Sequence, residues 1–199
     1  MENPAEEITA IVHKLTATDS PDVQKATIET YMLPTVSFRH PVCSVPAGPN
    51  SRYQLLGTYQ WYRVLSPHID INVESVVFDS ATNLLYLEAV QWFKLFFLPI
   101  SPAPARLVIR LQLVHIDGLY YIAEQEDFYH PDDFGALLLP ISAPFIRFGL
   151  TTAGVVSNVS VRLANLFGYW RPGGTHEQDA GGQQQSAAPS EAGLYDKED

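Results

Sequence analysis

Apolar positions in this chain first recur at a helical spacing and later switch to strict alternation. Ile8, Ile11, Val12 and Leu15 lie three and four residues apart behind Asn3-Pro4, where Asn3 suits a cap and Pro4 a first helical position. Ser20-Pro21-Asp22 opens a second helix in the same way. Val23, Ala26, Ile28 and Met32 form part of its buried side, and Pro34 stops it. Thr35 to Val45 reads as a short strand broken at Pro41, which belongs at an edge or a bend. Ser51 caps a third helix through about Leu65, rich in the aromatic residues Tyr53, Tyr59, Trp61 and Tyr62.

From His68 the period becomes two. Ile69, Ile71 and Val73 alternate with polar residues up to Phe78, Asp79–Asn83 turns the chain, and a long strand covers Leu84 to Phe97. A proline-rich connection, Pro99–Pro104, leads to Arg106–Tyr129, one β-hairpin about Asp117-Gly118, a pair that accepts positive φ at both turn positions. Counting back from a two-residue turn pairs Ile116 with Leu119, Arg110 with Gln125 and Val108 with Asp127. One face then carries Leu107, Ile109, Leu111 and Leu113 together with Tyr120, Ile122, Glu124, Glu126 and Phe128. The other carries Arg106, Val108, Arg110 and Gln112 with Tyr121, Gln125, Asp127 and Tyr129. Neither face is wholly polar, so the expectation is a curved sheet with one face on a core and the other lining a partly polar cavity. The order helix, helix, strand, helix, then a four-stranded meander predicts an α+β fold, a curved antiparallel sheet packed against three N-terminal helices.

Residues 1–133 form this domain. Residues 134–171 are an apolar extension in which the stretch from Phe134 to Trp170 has only Arg147 and Arg162 as charges, with a C-terminal amphipathic helix starting near Phe145. Arg147, Gly149 and Gly154 make it a poor membrane-spanning helix. Three readings of residues 145–170 stay open: a helix packed back on the domain, a peripheral helix lying on a membrane, or a lid over an apolar pocket. Residues 172–199, rich in Gly, Gln, Ser and acids, read as a disordered acidic tail.

The net charge is −10, half of it in that tail, and the body has no basic stripe, so nucleic-acid binding is not expected. Cys43 is the only cysteine and leaves no internal disulfide. The N-terminal MENPAEEITAIV lacks a basic region followed by an apolar one, which predicts no signal peptide and a cytoplasmic setting, with membrane association if 145–170 attaches.

The element order, together with Phe38-Arg39-His40-Pro41 ahead of the third helix and Gln125-Glu126-Asp127-Phe128-Tyr129 closing the meander, resembles the nuclear transport factor 2-like superfamily over about residues 5–170. That superfamily includes ketosteroid isomerase, scytalone dehydratase and the SnoaL-like cyclases. Tyr62-Arg63-Val64-Leu65-Ser66-Pro67, the strands around Phe78-Asp79 and Glu88-Ala89-Val90-Gln91, and the terminal Gln-Glu-Asp are most similar to its fungal sigma-factor-F-like branch. The resemblance implies a conical cavity between sheet and helices, a homodimer built through the sheet in some members, and either catalysis on, or binding of, small apolar molecules. Function then has to be argued from the site.

Proton chemistry in such a cavity needs a tuned acid or base and a donor for developing negative charge. The candidate catalytic residues are His40, Glu88 and Asp127. Those for binding a hydrophobic small molecule are Tyr59, Tyr62, Trp92, Arg110, Gln125 and Tyr129. His40 is either a general base or a strand-end histidine bonded to backbone. Arg110 and Asp127 are either a substrate-oxygen site with its acid or a structural ion pair. Glu88 is an acid/base candidate if it faces inward, which periodicity does not decide. No metal spacing, phosphate loop or dinucleotide fingerprint occurs, so no metal or cofactor is expected. The expected activity is a cofactor-independent isomerase, cyclase or dehydratase acting on a polyketide- or terpenoid-like molecule in a fungal biosynthetic pathway. The alternative is a non-catalytic lipid- or sterol-binding protein peripherally attached to a membrane.

Overall fold

The computed structural model describes residues 1–99 and 101–169. The chain divides into two compact units, residues 1–154 and 155–199. The expected acidic tail over 172–199 lies outside the described residues.

The first unit opens with α1 (Pro4–Thr16) and α2 (Pro21–Tyr31). Proline occupies the start of each, where its missing N–H would have had no partner. Asn3 makes no side-chain cap. Instead Glu7 reaches back and accepts the backbone N–H groups of Glu2 (2.6 Å) and Asn3 (2.8 Å), which holds the chain as it enters the helix. Ser20 caps α2 as expected, accepting from Val23 N–H. Pro34 does not end α2. The helix stops at Tyr31 and Pro34 lies within a strand whose pairing is irregular between Met32 and Ser37.

That strand is β1 (Met32–His40). The turn at Pro41-Val42 returns the chain as β2 (Cys43–Val45), so the single broken strand anticipated from Pro41 is a short antiparallel pair. Helix α3 (Ser51–Leu65) follows, then β3 (Ile69–Asp79), β4 (Leu84–Phe93), β5 (Pro104–Ile116) and β6 (Leu119–Tyr129). The six strands form one sheet in the order β2-β1-β6-β5-β4-β3; β1 lies parallel to β6 and every other pair is antiparallel. The fold is thus the expected α+β arrangement, a curved sheet with helices packed on it. Strand β4 ends at Phe93, four residues short of its expected end at Phe97. Beyond β6 come α4 (Pro131–Leu138), a 3-10 turn at Pro140–Ser142 and α5 (Ala143–Leu166).

The hairpin register differs from the simple count, and the difference decides the site. Near the turn the pairing is as anticipated: Asp117 and Gly118 both adopt positive φ (51° and 83°), and Ile116 pairs with Leu119. Leu113 pairs with Ile122, but Gln112 pairs with Glu124. Ala123 is therefore an extra residue, a β-bulge that reverses the inward-outward phase of the rest of β6. Arg110 faces Glu126 rather than Gln125, and Asp127 faces Ile109 rather than Val108. Consequently Gln125, Asp127 and Tyr129 join Leu107, Ile109 and Leu111 on the inner face, while Glu124, Glu126 and Phe128 turn outward beside Arg110.

The core occupies this inner face. Ile8, Ile11, Val12 and Leu15 of α1 and Leu55, Leu56 and Tyr59 of α3 pack with Val36, Phe38, Ile71, Leu85, Leu87, Leu107, Ile109 and Leu111 of the sheet. One face of the sheet thus serves as both core and cavity wall, and the other is the outer surface. This corrects the expectation that core and cavity lie on opposite faces.

Candidate active site

The core is not filled solid. An apolar cavity of about 140 Å³ lies between α1, α3, α4 and the inner sheet face. Its size is close to the ~150 Å³ at which a buried apolar cavity admits a single benzene ring. Ile8, Val12 and Leu15 wall one side, Ile71, Leu87, Leu107 and Ile109 the floor, and Phe134, Leu137 and Leu138 of α4 another flank. Among the described residues no Lys or Arg lines it; its polar groups are His40, Tyr59, Tyr62, Gln91, Gln125, Asp127, Tyr129 and Thr16.

Strand alternation after the bulge brings three of these together, since Gln125, Asp127 and Tyr129 are two residues apart on one inward face. Helix α3 supplies Tyr59 and Tyr62 from neighbouring positions one turn apart. The Tyr59 hydroxyl donates to Gln125 Oε1 (3.0 Å), and Gln125 Nε2 donates to Asp127 Oδ1 (3.0 Å). Tyr129 donates to Gln91 Oε1 (3.2 Å). The Val42 N–H (3.4 Å) and the Tyr62 hydroxyl (3.3 Å) converge on His40 Nδ1, which makes Nδ1 an acceptor and places the ring proton on Nε2. Cys43 Sγ lies 3.2 Å from the same hydroxyl and can donate to it. His40 also packs edge-on against Tyr129 (ring centroids 5.4 Å) and Phe134 (6.0 Å).

Burial sets the proton affinities. The Asp127 carboxyl is pushed up to about 7 because ionisation would place a charge among apolar walls; the Gln125 hydrogen bond opposes the rise but does not cancel it. Asp127 is half-buried and lines the cavity. Burial also drives His40 down to about 4, so its imidazole is neutral at pH 7. Tyr59, Tyr62 and Tyr129 are all raised, chiefly by desolvation with a further push from the Asp127 charge, and remain phenols. The site therefore holds one carboxyl able to exchange a proton near neutrality, ringed by neutral donors.

Six of the nine residues anticipated from the sequence meet here: His40, Tyr59, Tyr62, Gln125, Asp127 and Tyr129. Glu88, Trp92 and Arg110 do not line the cavity. Glu88 is exposed and pairs with Val108 on the outer face, where alternation from the buried Leu87 and Ala89 must put it. Trp92 takes the same face for the same reason. Arg110 is bridged to Glu124 (3.0 Å) and Glu126 (3.4 Å), so the anticipated Arg110–Asp127 partnership across one face is replaced by an outer ion-pair cluster. Gln91 and Phe134 were not anticipated. Gln91 was recoverable from its even spacing to Leu87 and Ala89, and Phe134 from His130-Pro131-Asp132-Asp133, a run with Pro and acids where a helix starts. Among the described residues, no group of three or more His, Cys, Asp or Glu side chains is placed to hold a metal ion.

The family model for the SigF NTF2-like domain matches residues 1–169. Among solved structures, the chain is similar to a protein of ketosteroid isomerase-like fold from Catenulispora acidiphila, crystallised with trimethylamine. That pair shares 16% identity at a TM-score of 0.52, covering 66% of this chain and 91% of the other. A SnoaL-like family protein from Agrobacterium tumefaciens gives 10% identity and a TM-score of 0.50, with coverage of 63% and 97%. An LEH-like epoxide hydrolase from M. tuberculosis gives 10% identity and a TM-score of 0.50, with coverage of 72% and 95%. At these identities the likeness is one of fold. No curated protein matches the sequence.

Proposed function

The chain belongs to the SigF NTF2-like domain family, and from that premise we propose that it is a cofactor-independent acid–base catalyst acting on a small, uncharged, hydrophobic molecule. The NTF2/SnoaL-like fold is shared by polyketide cyclases and isomerases. The observation that carries the reading is Asp127, a carboxyl raised to about 7 inside an apolar cavity. A general acid or base works best when its proton affinity lies near the operating pH. Ionised, Asp127 takes a proton from carbon next to a carbonyl. The phenol of Tyr129 or Tyr62, or the Nε2–H of His40, then donates to the oxygen on which charge develops. Protonated Asp127 returns the proton at a second carbon, giving an isomer, or to a leaving hydroxyl, giving a dehydration.

The lining restricts the substrate. With no cation among the described residues of the wall and one carboxylate, a carboxylate ligand would be repelled. The volume suits one ring or a short branched chain, such as a cyclic unit of a polyketide- or terpenoid-like compound; the assignment to a fungal biosynthetic pathway rests on the family resemblance alone. The test is deuterium uptake next to the carbonyl of single-ring enones in D₂O, followed by NMR. Wild type should accelerate exchange with an inflection near pH 7, and Asp127→Asn should lose about 10²–10⁴-fold, the range for a general base. Equal rates for the two proteins would end the catalytic reading.

A second reading, peripheral membrane attachment, is favoured by one feature. Phe145 and Phe148 in α5 are each 74% exposed, and the helix contains no acid. No helix among the described residues is long and apolar enough to cross a membrane. Flotation with anionic liposomes separates the cases: the full chain rises with the vesicles while Phe145→Ser/Phe148→Ser stays behind, and identical behaviour removes this reading. A sterol, with four fused rings, exceeds the cavity as it stands.

A further inference from the structure

A buried amide wedged between a phenol and a carboxyl has one orientation that serves all three groups. Gln125 is such an amide: it is buried, its Oε1 takes the Tyr59 proton at 3.0 Å, and its Nε2 gives a proton to Asp127 Oδ1 at 3.0 Å. The Tyr59 ring cannot swing away, since it is buried in the core 6.1 Å from the Phe38 ring. We infer that Tyr59 is a positioning residue for Asp127. By donating to Gln125 Oε1 it locks the amide with its NH₂ group toward the carboxyl, so that Oδ1 always meets a donor. The inference rests on the acid–base reading of Asp127 and deepens it.

Turning the amide over would bring Oε1 against Oδ1, two acceptors that can coexist only if Asp127 keeps its proton. The same rotation would strip the Tyr59 hydroxyl of its acceptor inside the core, and an unsatisfied buried donor is costly. Tyr59 therefore selects the amide orientation compatible with ionised Asp127. Polarisation along the chain O–H···O=C–N–H···O strengthens the last bond further. The second oxygen, Oδ2, makes no hydrogen bond among the described residues and is the one left for a guest in the cavity. Locked in this way, the carboxyl presents the same oxygen on every turnover.

Other groups around Asp127 do not mimic this effect. Tyr62 from α3, His40 from β1, Tyr129 from β6 and Gln91 from β4 line the same cavity, but their hydrogen bonds run to Cys43, to the Val42 N–H and to one another. None of them bonds to the Gln125 amide or to Asp127.

The experiment follows the Asp127 carboxyl carbon by NMR from pH 4 to 9 in the full-length wild type and in Tyr59→Phe. The variant keeps the ring and removes only the hydroxyl. The expected result is an upward shift of the Asp127 midpoint by about one pH unit, tenfold in proton affinity. An unmoved midpoint in folded Tyr59→Phe overturns the inference, because a merely structural tyrosine would lower thermal stability and leave the titration in place. A measurement on wild type alone guards against a variant that does not fold. A through-hydrogen-bond coupling between Gln125 Nε2 and the Asp127 carboxyl is expected at pH 8, and its absence overturns the inference as well. The two readings fail separately. A wild-type midpoint near 4 sinks the acid–base function; a midpoint near 7 that Tyr59→Phe leaves untouched sinks only the positioning role.

Discussion

Replacing Asp127 by Asn tests the raised carboxyl without any knowledge of the substrate. Asn has nearly the same shape and still accepts from Gln125 Nε2, but it carries no charge at any pH. In the unfolded chain Asp127 titrates near ~3.9, and in the folded protein burial pushes it up to about 7. The folded state therefore binds this proton more tightly. Its contribution to stability is complete below ~4 and is lost as pH rises toward 7. Between pH 5 and 8 the loss covers about two pH units, at 1.36 kcal/mol per unit roughly 3 kcal/mol. Other groups titrate as well, but they cancel in the difference between variant and wild type. Urea unfolding at both pH values should thus find the stability of Asp127→Asn relative to wild type roughly 3 kcal/mol greater at pH 8 than at pH 5. For a domain of this size that is a gain of roughly 6–12 °C in Tm. The same variant should be inactive, as expected when a destabilising group is kept for chemistry. A difference that does not change between pH 5 and 8 would show that Asp127 titrates as an ordinary carboxylate, and the argument for acid–base catalysis would go with it.

Removing Arg110 with Ala should cost no more than ~1 kcal/mol in urea unfolding and leave ligand uptake unchanged, because its ion pairs with Glu124 and Glu126 lie on the partly wet outer face. Glu88→Gln should leave turnover within twofold of wild type in the enone exchange assay. A large loss would mean that an exposed outer carboxylate reaches the chemistry after all. Leu87→Ala, at a fully buried position on the cavity floor, should lose ~2–5 kcal/mol. It should also admit a bulkier apolar ligand, measurable by calorimetry with single- and two-ring probes. Gly135→Val should loosen α4, since even a Cβ at Gly135 would fall on Ile146 Cδ1 and come within 2.9 Å of Ser142 Oγ. The expected cost is ~1–3 kcal/mol with weaker retention of the same probes.

Much of this arrangement was legible one element at a time. Helical spacing behind Asn3-Pro4 and Ser20-Pro21, alternation from Ile69 onward, and Asp117-Gly118 each act over a few residues, where local sterics and hydrogen bonding dominate. Together they yield the order of elements and hence the α+β class. The polar cast of the cavity was also visible, because His40, Tyr59, Tyr62, Gln125, Asp127 and Tyr129 are unusual among so many apolar neighbours.

Which of those residues share a face was not a local matter. A count from the turn assumes one residue opposite each residue, and Ala123 breaks that rule. The warning was in the sequence: the uninterrupted register would have buried Glu124 and Glu126 among Leu107, Ile109 and Leu111. A bulge moves both glutamates out to Arg110 and draws Asp127 inward, a trade that can be weighed only when the strands, the outer cation and the core are considered together. The parallel seating of β1 against β6, which delivers His40 to Asp127's side of the sheet, likewise depends on chain segments some ninety residues apart. Proton affinity follows the same division. The chain supplies an aspartate and a histidine with ordinary values, and only the surrounding apolar walls, assembled from α1, α3, α4 and the sheet, decide that one is raised and the other lowered. Desolvation is a property of everything within reach of a charge, and residue order alone does not state what that will be.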